Sequence, residues 1–197
     1  SIIAHDIVVE RLRQVKGSST RVGVCHNISD SRSSDADFTP PSKTTSHITV
    51  ETTSDIGAYS NGFADAVLVD APCSSLGVLR RRPSQRFCIK ENEISHHFPS
   101  LQLKILSESS RLVKPNGGKL IYATCSVSQY ENENVVKDFE RLPSFDDMWE
   151  RWDFDDDYAG GMGQINQNLA SHCRALIPNT DDCDGFFISR WKRRGAE

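Results

Sequence analysis

The chain has no apolar run approaching the length needed to cross a bilayer, and its first residues are not a charged stretch leading into an apolar one. No membrane partner and no secretory leader are therefore expected, and an intracellular home is, with cytoplasm, nucleus and organelle all left open. No two of its six cysteines have the C-x-x-C spacing of a zinc site, and the six histidines show no ligand spacing, so no metal is expected. The cysteines are scattered through 197 residues, a chain too long for a small disulfide scaffold, and free thiols are the better reading. Net positive charge is missing too. A balance of −4 argues mildly against nucleic acid, because phosphate contacts need clustered Lys and Arg. No internal repeat is visible, and nothing in the sequence speaks to oligomeric state. What remains is an ordinary globular composition, 37% hydrophobic and 25% charged.

Two stretches stand out against that background. Phe63 to Gly77, FADAVLVDAPCSSLG, and Gly117 to Asn132, GGKLIYATCSVSQYEN, are each a short apolar run that stops at a small polar loop holding one cysteine. That is the pattern of a buried strand delivering a side chain at its carboxyl end. Ligands of open α/β sheets bind just outside those ends, so Cys73 and Cys125 are expected to face one pocket. The spacing Ser128-Gln129-Tyr130-Glu131 fits a capping box, which starts a helix near Tyr130 and places Cys125 close to a helix N-terminus, where the dipole favours a thiolate. A lone cysteine on a strand end would be read as inert and buried; the pairing argues against that. A dithiol redox module is the weakest alternative, for want of a C-x-x-C.

Asp70-Ala71-Pro72-Cys73-Ser74, with Gly77 and Arg80-Arg81-Arg82-Pro83 after it, resembles the Pro-Cys motif of the Sun-type, or RsmB/NOP-type, RNA 5-methylcytosine methyltransferases. Ala123-Thr124-Cys125-Ser126, followed by Glu131-Asn132, resembles that family's Thr-Cys motif, and Asp184-Gly185-Phe186-Phe187 its C-terminal segment. The resemblance covers most of residues 1–192. It implies an α/β, Rossmann-like class I methyltransferase sheet, mostly parallel with an antiparallel C-terminal strand. It implies S-adenosylmethionine as cofactor and an RNA, ribosomal or transfer, as partner. It assigns Cys125 as the nucleophile and Cys73 as the residue that helps release the product. Asp6 resembles the acid that bonds the cofactor ribose, Asp55 is the nearest match to the adenine-binding acid, and Asp70 is placed to bond the cofactor or the edge of cytosine. Asp6 reads equally as a helix N-cap, and Asp70 as an acid fixing its own turn. Arg80, Arg81 and Arg82 are expected to contact RNA phosphate, against the blander reading of a solvated face.

The family's first strand and glycine-rich loop have no counterpart here. Gly160, Gly161 and Gly163 follow no strand and read as a flexible loop. The chain is therefore expected to be a partial catalytic domain over residues 1–197, truncated at its N-terminus. The alternative is a catalytically inactive RNA-binding remnant. Residues 17–46, rich in Ser, Thr, Asp and Pro, are expected to be a disordered insertion. Further strands are expected over 47–51 and 64–69, the latter central, and an antiparallel pair over 173–177 and 185–191. Helices are expected over 7–15, 99–113 and about 130–141, with 87–97 irregular. Trp149 and Trp152 are read as docked on their own core rather than free for base stacking.

Overall fold

The computed structural model describes residues 2–6, 8–21, 25–26, 49–154 and 169–195. They form two compact units, Ser1–Tyr59 and Ser60–Glu197. The glycines at 160, 161 and 163 lie outside the described residues.

The first unit contains β1 (Ile2–His5), α1 (Val9–Arg21), β2 (Cys25–His26) and β3 (Thr49–Thr53). β3 lies between β1 and β2 and is parallel to both, with Ile2 opposite Val50 and Cys25 opposite Thr49. β1 and β2 run parallel on either side of β3, so the chain must cross between them, and α1 makes that crossover with Leu12 buried. Four β-branched residues, Thr49, Val50, Thr52 and Thr53, favour the strand and carry it two residues past the expected end; residues 47 and 48 of the expected strand lie outside the described residues. α1 runs through Gly17 to Arg21, because a helix already nucleated tolerates the roughly 1 kcal/mol that a glycine costs. Of the expected insertion, only residues 17–21 and 25–26 are described, and they are helix and strand.

In the second unit β4 (Ala66–Asp70), α2 (Gln85–Cys88), α3 (Phe98–Ser110), β5 (Lys119–Thr124) and α4 (Glu133–Glu140) come first. α5 (Phe145–Met148), β6 (Trp149–Arg151), β7 (Cys173–Leu176), α6 (Pro178–Asp181) and β8 (Phe186–Arg193) follow. The sheet runs β4-β5-β8-β6, and β7 also pairs with β8. β4 and β5 are parallel; β8 is antiparallel to β5, β6 and β7. This is the α/β sheet expected, mixed, with a parallel pair in β4 and β5 and closed by antiparallel strands.

Residues paired across strands share a face, so Leu120 and Tyr122 of β5 lie beside Trp191 and Ser189 of β8. That face is covered by α3 and α4 through Leu106, Val135, Val136 and Phe139, and all of them are buried. The Phe139 ring packs 5.0 Å from that of Trp191 and edge-on to Phe145 at 5.7 Å. Trp149 docks into this cluster, while Arg190 lies over the Trp152 ring at 4.1 Å. A turn through Asn116 and Gly117, both at positive φ, returns the chain from α3 to β5; the glycine takes φ 95° without strain.

Two expectations need correction. The run ending at Asp70 looks central, yet among the described residues β4 is an edge strand whose Leu68 is 64% exposed. The irregular stretch before α3 contains the short helix α2 and a π-helical turn, Glu93–His97, leading directly into α3.

Phe139→Ala should lower the unfolding free energy by about 3–5 kcal/mol, by deleting the ring that Phe145, Trp149 and Trp191 pack around. Chemical denaturation should show a lower midpoint at unchanged slope. A loss below about 1 kcal/mol would place the core of this unit elsewhere.

Candidate active site

β4 and β5 are adjacent and parallel, in a register that sets Asp70 opposite Ala123. The loops that follow them must therefore leave the sheet side by side. The consequence is a pair of sulfurs, Cys73 Sγ and Cys125 Sγ, 3.4 Å apart in half-buried positions. A third group joins them: the Ser75 hydroxyl lies 3.4 Å from Cys125 Sγ.

A buried carboxylate holds both loops. Glu131 is fully buried; its Oε1 accepts the Ser74 N–H at 2.7 Å, and its Oε2 accepts the Ser126 hydroxyl at 2.6 Å and the Ser74 hydroxyl. Ser74 follows Cys73, and Ser126 follows Cys125. Gln102 of α3, also fully buried, donates from Nε2 to the Pro72 carbonyl at 2.9 Å and to Glu131 Oε1 at 3.2 Å. Asn132 accepts the Thr124 hydroxyl at 2.7 Å and donates to the Ser126 carbonyl at 3.0 Å. Burying an acid this deeply is tolerable only because its lone pairs are satisfied.

Backbone contacts close the loop from its other side. Gly77 N–H donates to the Cys125 carbonyl at 2.9 Å, and Gly185 N–H to the Gly77 carbonyl at 2.7 Å. A Cβ on Gly77 would run into both the Gly185 and Cys125 carbonyl oxygens, so only glycine permits the approach.

The two thiols are not equivalent. Cys125 is held down to about 6, chiefly because the Cys73 S–H donates to its thiolate; burial opposes this, and the Ser75 hydroxyl reinforces it. The same hydrogen bond, together with burial, pushes Cys73 far above the ordinary thiol range. The asymmetry favours a thiolate at 125 bonded to a thiol at 73. Cys173 is pushed up to about 11 by burial, which outweighs the lowering effect of the Ser189 hydroxyl 3.3 Å away.

The other residues singled out by sequence are distributed differently. Asp70 stands exposed at the carboxyl end of β4, and among the described residues its carboxylate has no hydrogen-bond partner. Asp6 and Asp55 belong to the first unit, beyond the carboxyl ends of the adjacent parallel strands β1 and β3. Asp6 Oδ1 accepts the Val8 N–H at 2.8 Å, and Oδ2 lies 3.5 Å from Arg11. Asp55 Oδ1 accepts the Gly57 N–H at 2.8 Å. Each acid thus caps its own turn with one oxygen. Arg80 and Arg81 pair with Asp182 and Asp184 rather than standing free, and Arg82 is exposed. A cavity of about 910 Å³, lined by Asp146, Asp147, Glu150, Arg193 and Arg194 among others, lies toward the amino end of β5, away from the cysteines.

The expected capping box does not form. α4 begins only at Glu133, with no side chain capping it, because Glu131 turns inward to Ser74 and Ser126. Cys125 therefore owes its acidity to Cys73 and Ser75 rather than to a helix dipole. Gln102 and Ser75 are site residues that reading the sequence misses, and Glu131 is one it places in the motif but reads as a helix cap. A fully buried stripe of Gln102, Leu106, Ser109 and Val113 at helical spacing holds two polar members, and that anomaly is the available signal.

Comparison with known proteins agrees with the motifs. The model of the family described as 16S rRNA methyltransferase RsmB/F matches residues 1–192. The probable ribosomal RNA small subunit methyltransferase B of Bacillus subtilis is 32% identical over 145 residues, covering 70% of this chain and 29% of that protein. Ribosomal RNA small subunit methyltransferase F of Pectobacterium atrosepticum is 30% identical over 140 residues, covering 71% and 28%. The chain thus spans less than a third of the length of these curated relatives. The crystal structure of NSun6 from Pyrococcus horikoshii with SFG superposes with a TM-score of 0.68 at 21% identity, over 100% of this chain and 42% of that one, a likeness of fold.

Two measurements follow from this geometry. Alkylation of Cys125, followed on its own peptide by mass spectrometry, should be lost as pH falls through about 6 and be full above it, since the thiolate is the reactive form. Cys73→Ala removes the main donor and should move that midpoint up toward the ordinary thiol value of about 8.5. An unmoved midpoint would disprove the sulfur–sulfur hydrogen bond. Glu131→Ala should cost roughly 3–5 kcal/mol, by stranding several buried donors at about 1–3 kcal/mol each, and Glu131→Gln less. Equal losses in the two variants would show that the carboxylate's hydrogen bonds are not what holds the loops.

Proposed function

Because this chain belongs to the RsmB/F family of 16S rRNA methyltransferases, we propose that it carries the reacting cysteines for S-adenosylmethionine-dependent methylation of cytosine carbon 5 in RNA. The single observation that carries this reading is the juxtaposed thiolate and thiol, 3.4 Å apart at the ends of two parallel strands. Carbon 5 of cytosine is a poor nucleophile. Addition of the Cys125 thiolate to carbon 6 turns the ring into an enamine whose carbon 5 is electron-rich, an instance of covalent catalysis. After carbon 5 is substituted, its proton must leave before the Cys125 thiolate can be expelled, and Cys73 is the group at hand to assist.

The donor set suits the cofactor. Asp6 and Asp55 follow adjacent parallel strands in the first unit, where a nucleoside's hydroxyls and amino group seek carboxylate acceptors; Asp55 keeps an oxygen beyond the one that caps its turn, and the second oxygen of Asp6 meets the exposed Arg11. Asp70 offers an unpartnered carboxylate one strand from Cys125. We assign these three to cofactor or cytosine binding. S-adenosylmethionine, when bound, supplies an electrophilic methyl group.

The RNA partner we propose is ribosomal, in line with the names of the relatives, with transfer RNA the second choice. The target base must be unpaired or flipped out, because carbon 6 is shielded in a stack. Phosphate contact falls to the exposed Arg82 first. Arg80 joins it readily, since its pair with Asp182 is solvent-exposed and such pairs are worth little. Arg81 is more committed, to an Asp184 that is mostly buried.

The test is methyl transfer from labelled S-adenosylmethionine to small-subunit ribosomal RNA by the whole protein. Cys125→Ala should abolish transfer, whereas Cys73→Ala should accumulate a covalent RNA adduct that survives denaturing electrophoresis. Normal turnover by the Cys73 variant, with no adduct, would overturn the division of roles; transfer by the Cys125 variant would overturn the mechanism.

A further inference from the structure

We infer that Ser75 is a further catalytic residue of this site, its hydroxyl a second hydrogen-bond donor to the Cys125 sulfur, kept there by a loop that holds Ser75 in the left-handed backbone region. Its catalytic consequence rests on the reaction proposed above. Its geometry does not.

Two independent observations converge. The first is the backbone: Ser75 has φ 60° and ψ 27°, one of only three non-glycine residues at positive φ among the described residues. The left-handed region suits glycine and is unfavourable for a residue with a Cβ. Such a conformation persists only where the surroundings over-determine it, and here they do. The preceding Ser74 N–H is bound to Glu131, the Ser75 carbonyl accepts the Val78 N–H at 3.1 Å, and Gly77 is pinned to the Cys125 carbonyl. A glycine at 75 would satisfy every one of these bonds without strain, so the backbone gives no reason for a serine.

The second observation supplies that reason. The Ser75 hydroxyl lies 3.4 Å from Cys125 Sγ, on a sulfur whose other partner is Cys73. As a thiol, Cys125 donates its S–H to the Ser75 hydroxyl oxygen; as a thiolate it has no proton to give, and the hydroxyl turns to donate to sulfur instead. This contact is among the causes that keep Cys125 acidic. The donor keeps its own proton throughout. It stabilises the negative sulfur before addition to carbon 6, and meets the same charge again when the carbon–sulfur bond breaks and the electron pair returns to sulfur. Cys73 can serve as donor only while it remains a thiol; a serine hydroxyl stays protonated across the whole working range of pH.

Ser75→Gly and Ser75→Ala in the whole protein separate this role from a loop-forming one. Glycine removes the hydroxyl and relieves the backbone; alanine removes the hydroxyl and keeps the strain. Peptide-resolved alkylation of Cys125 from about pH 4 to about 9 reads the thiol directly. The midpoint, rather than a rate at one pH, is the proper readout, because a thiolate of higher pKa is also intrinsically more nucleophilic. We expect the midpoint to rise by roughly one pH unit in both variants, while the glycine variant melts at or above the wild-type temperature. A glycine variant that is as stable or more so, with the Cys125 midpoint unmoved, overturns the inference and leaves Ser75 a turn residue. The titration needs neither RNA nor cofactor. If the wild-type protein transfers no methyl group, the reading of function fails while the Ser75 result stands or falls separately.

Discussion

A carboxylate with nothing but protein around it decides the shape of this site. Removing an acid from water costs several kcal/mol unless donors meet it, and those donors must come from whatever elements can be brought close. For Glu131 they come from the loop after β4, the loop after β5 and the middle of α3. Once each of these donors has turned inward, none of the three segments can shift without stranding a buried group. The cysteines take no part in this arrangement. They ride on it, one residue before Ser74 and one before Ser126, and their separation is a by-product of where two serines must stand.

The reason for building so much polar structure behind two small loops lies in what a sulfur pair demands. A hydrogen bond to sulfur is long and weak, so it holds little in place by itself. Backbone freedom of a few tenths of an ångström in either loop would weaken the contact between the cysteines, and with it the acidity of Cys125. The Glu131 network and the Gly77–Gly185 approach, one on either side of the Pro-Cys loop, remove that freedom. In an otherwise apolar layer they are the parts of the core that specify position rather than add hydrophobic stabilisation.

Much of this is legible in the order of residues alone. The strand-then-loop rhythm around Cys73 and Cys125, the α3 pattern and the antiparallel closing pair follow from short-range periodicity, which survives folding because burial enforces it. What is not legible depends on partners distant in sequence. Glu131 has capping-box spacing from Ser128, and locally that reading is sound; the tertiary donors at Ser74 and Ser126 win because, fully buried, they would otherwise be stranded. Gln102 reads as a surface residue until the carbonyl of Pro72 is seen beneath it. Arg80 and Arg81 read as a phosphate clamp because the acids that face them, Asp182 and Asp184, lie about a hundred residues on. The left-handed turn at Ser75 leaves no mark in the sequence, since its residue type is not the one such a turn prefers.

In the reaction proposed for this site, the coupling between the thiols would also order the steps in time. One hydrogen bond both lowers Cys125 and raises Cys73, so while Cys125 is a free thiolate its neighbour is a poor base and a good donor. That is the state needed for attack. Once the Cys125 sulfur is bonded to carbon 6, its negative charge is gone and it accepts a hydrogen bond only feebly. The largest cause of Cys73's weak acidity then disappears, and burial is the main one left. In that scheme Cys73, half-buried and so in reach of solvent, would give its own proton to water at the stage when carbon 5 has one to surrender, and then take the carbon-5 proton in its place. When elimination returns the charge to Cys125, the original hydrogen bond re-forms and Cys73 is again restrained as a thiol. Under that proposal two chemically identical side chains take different roles in sequence, because the charge on one sets the acidity of the other.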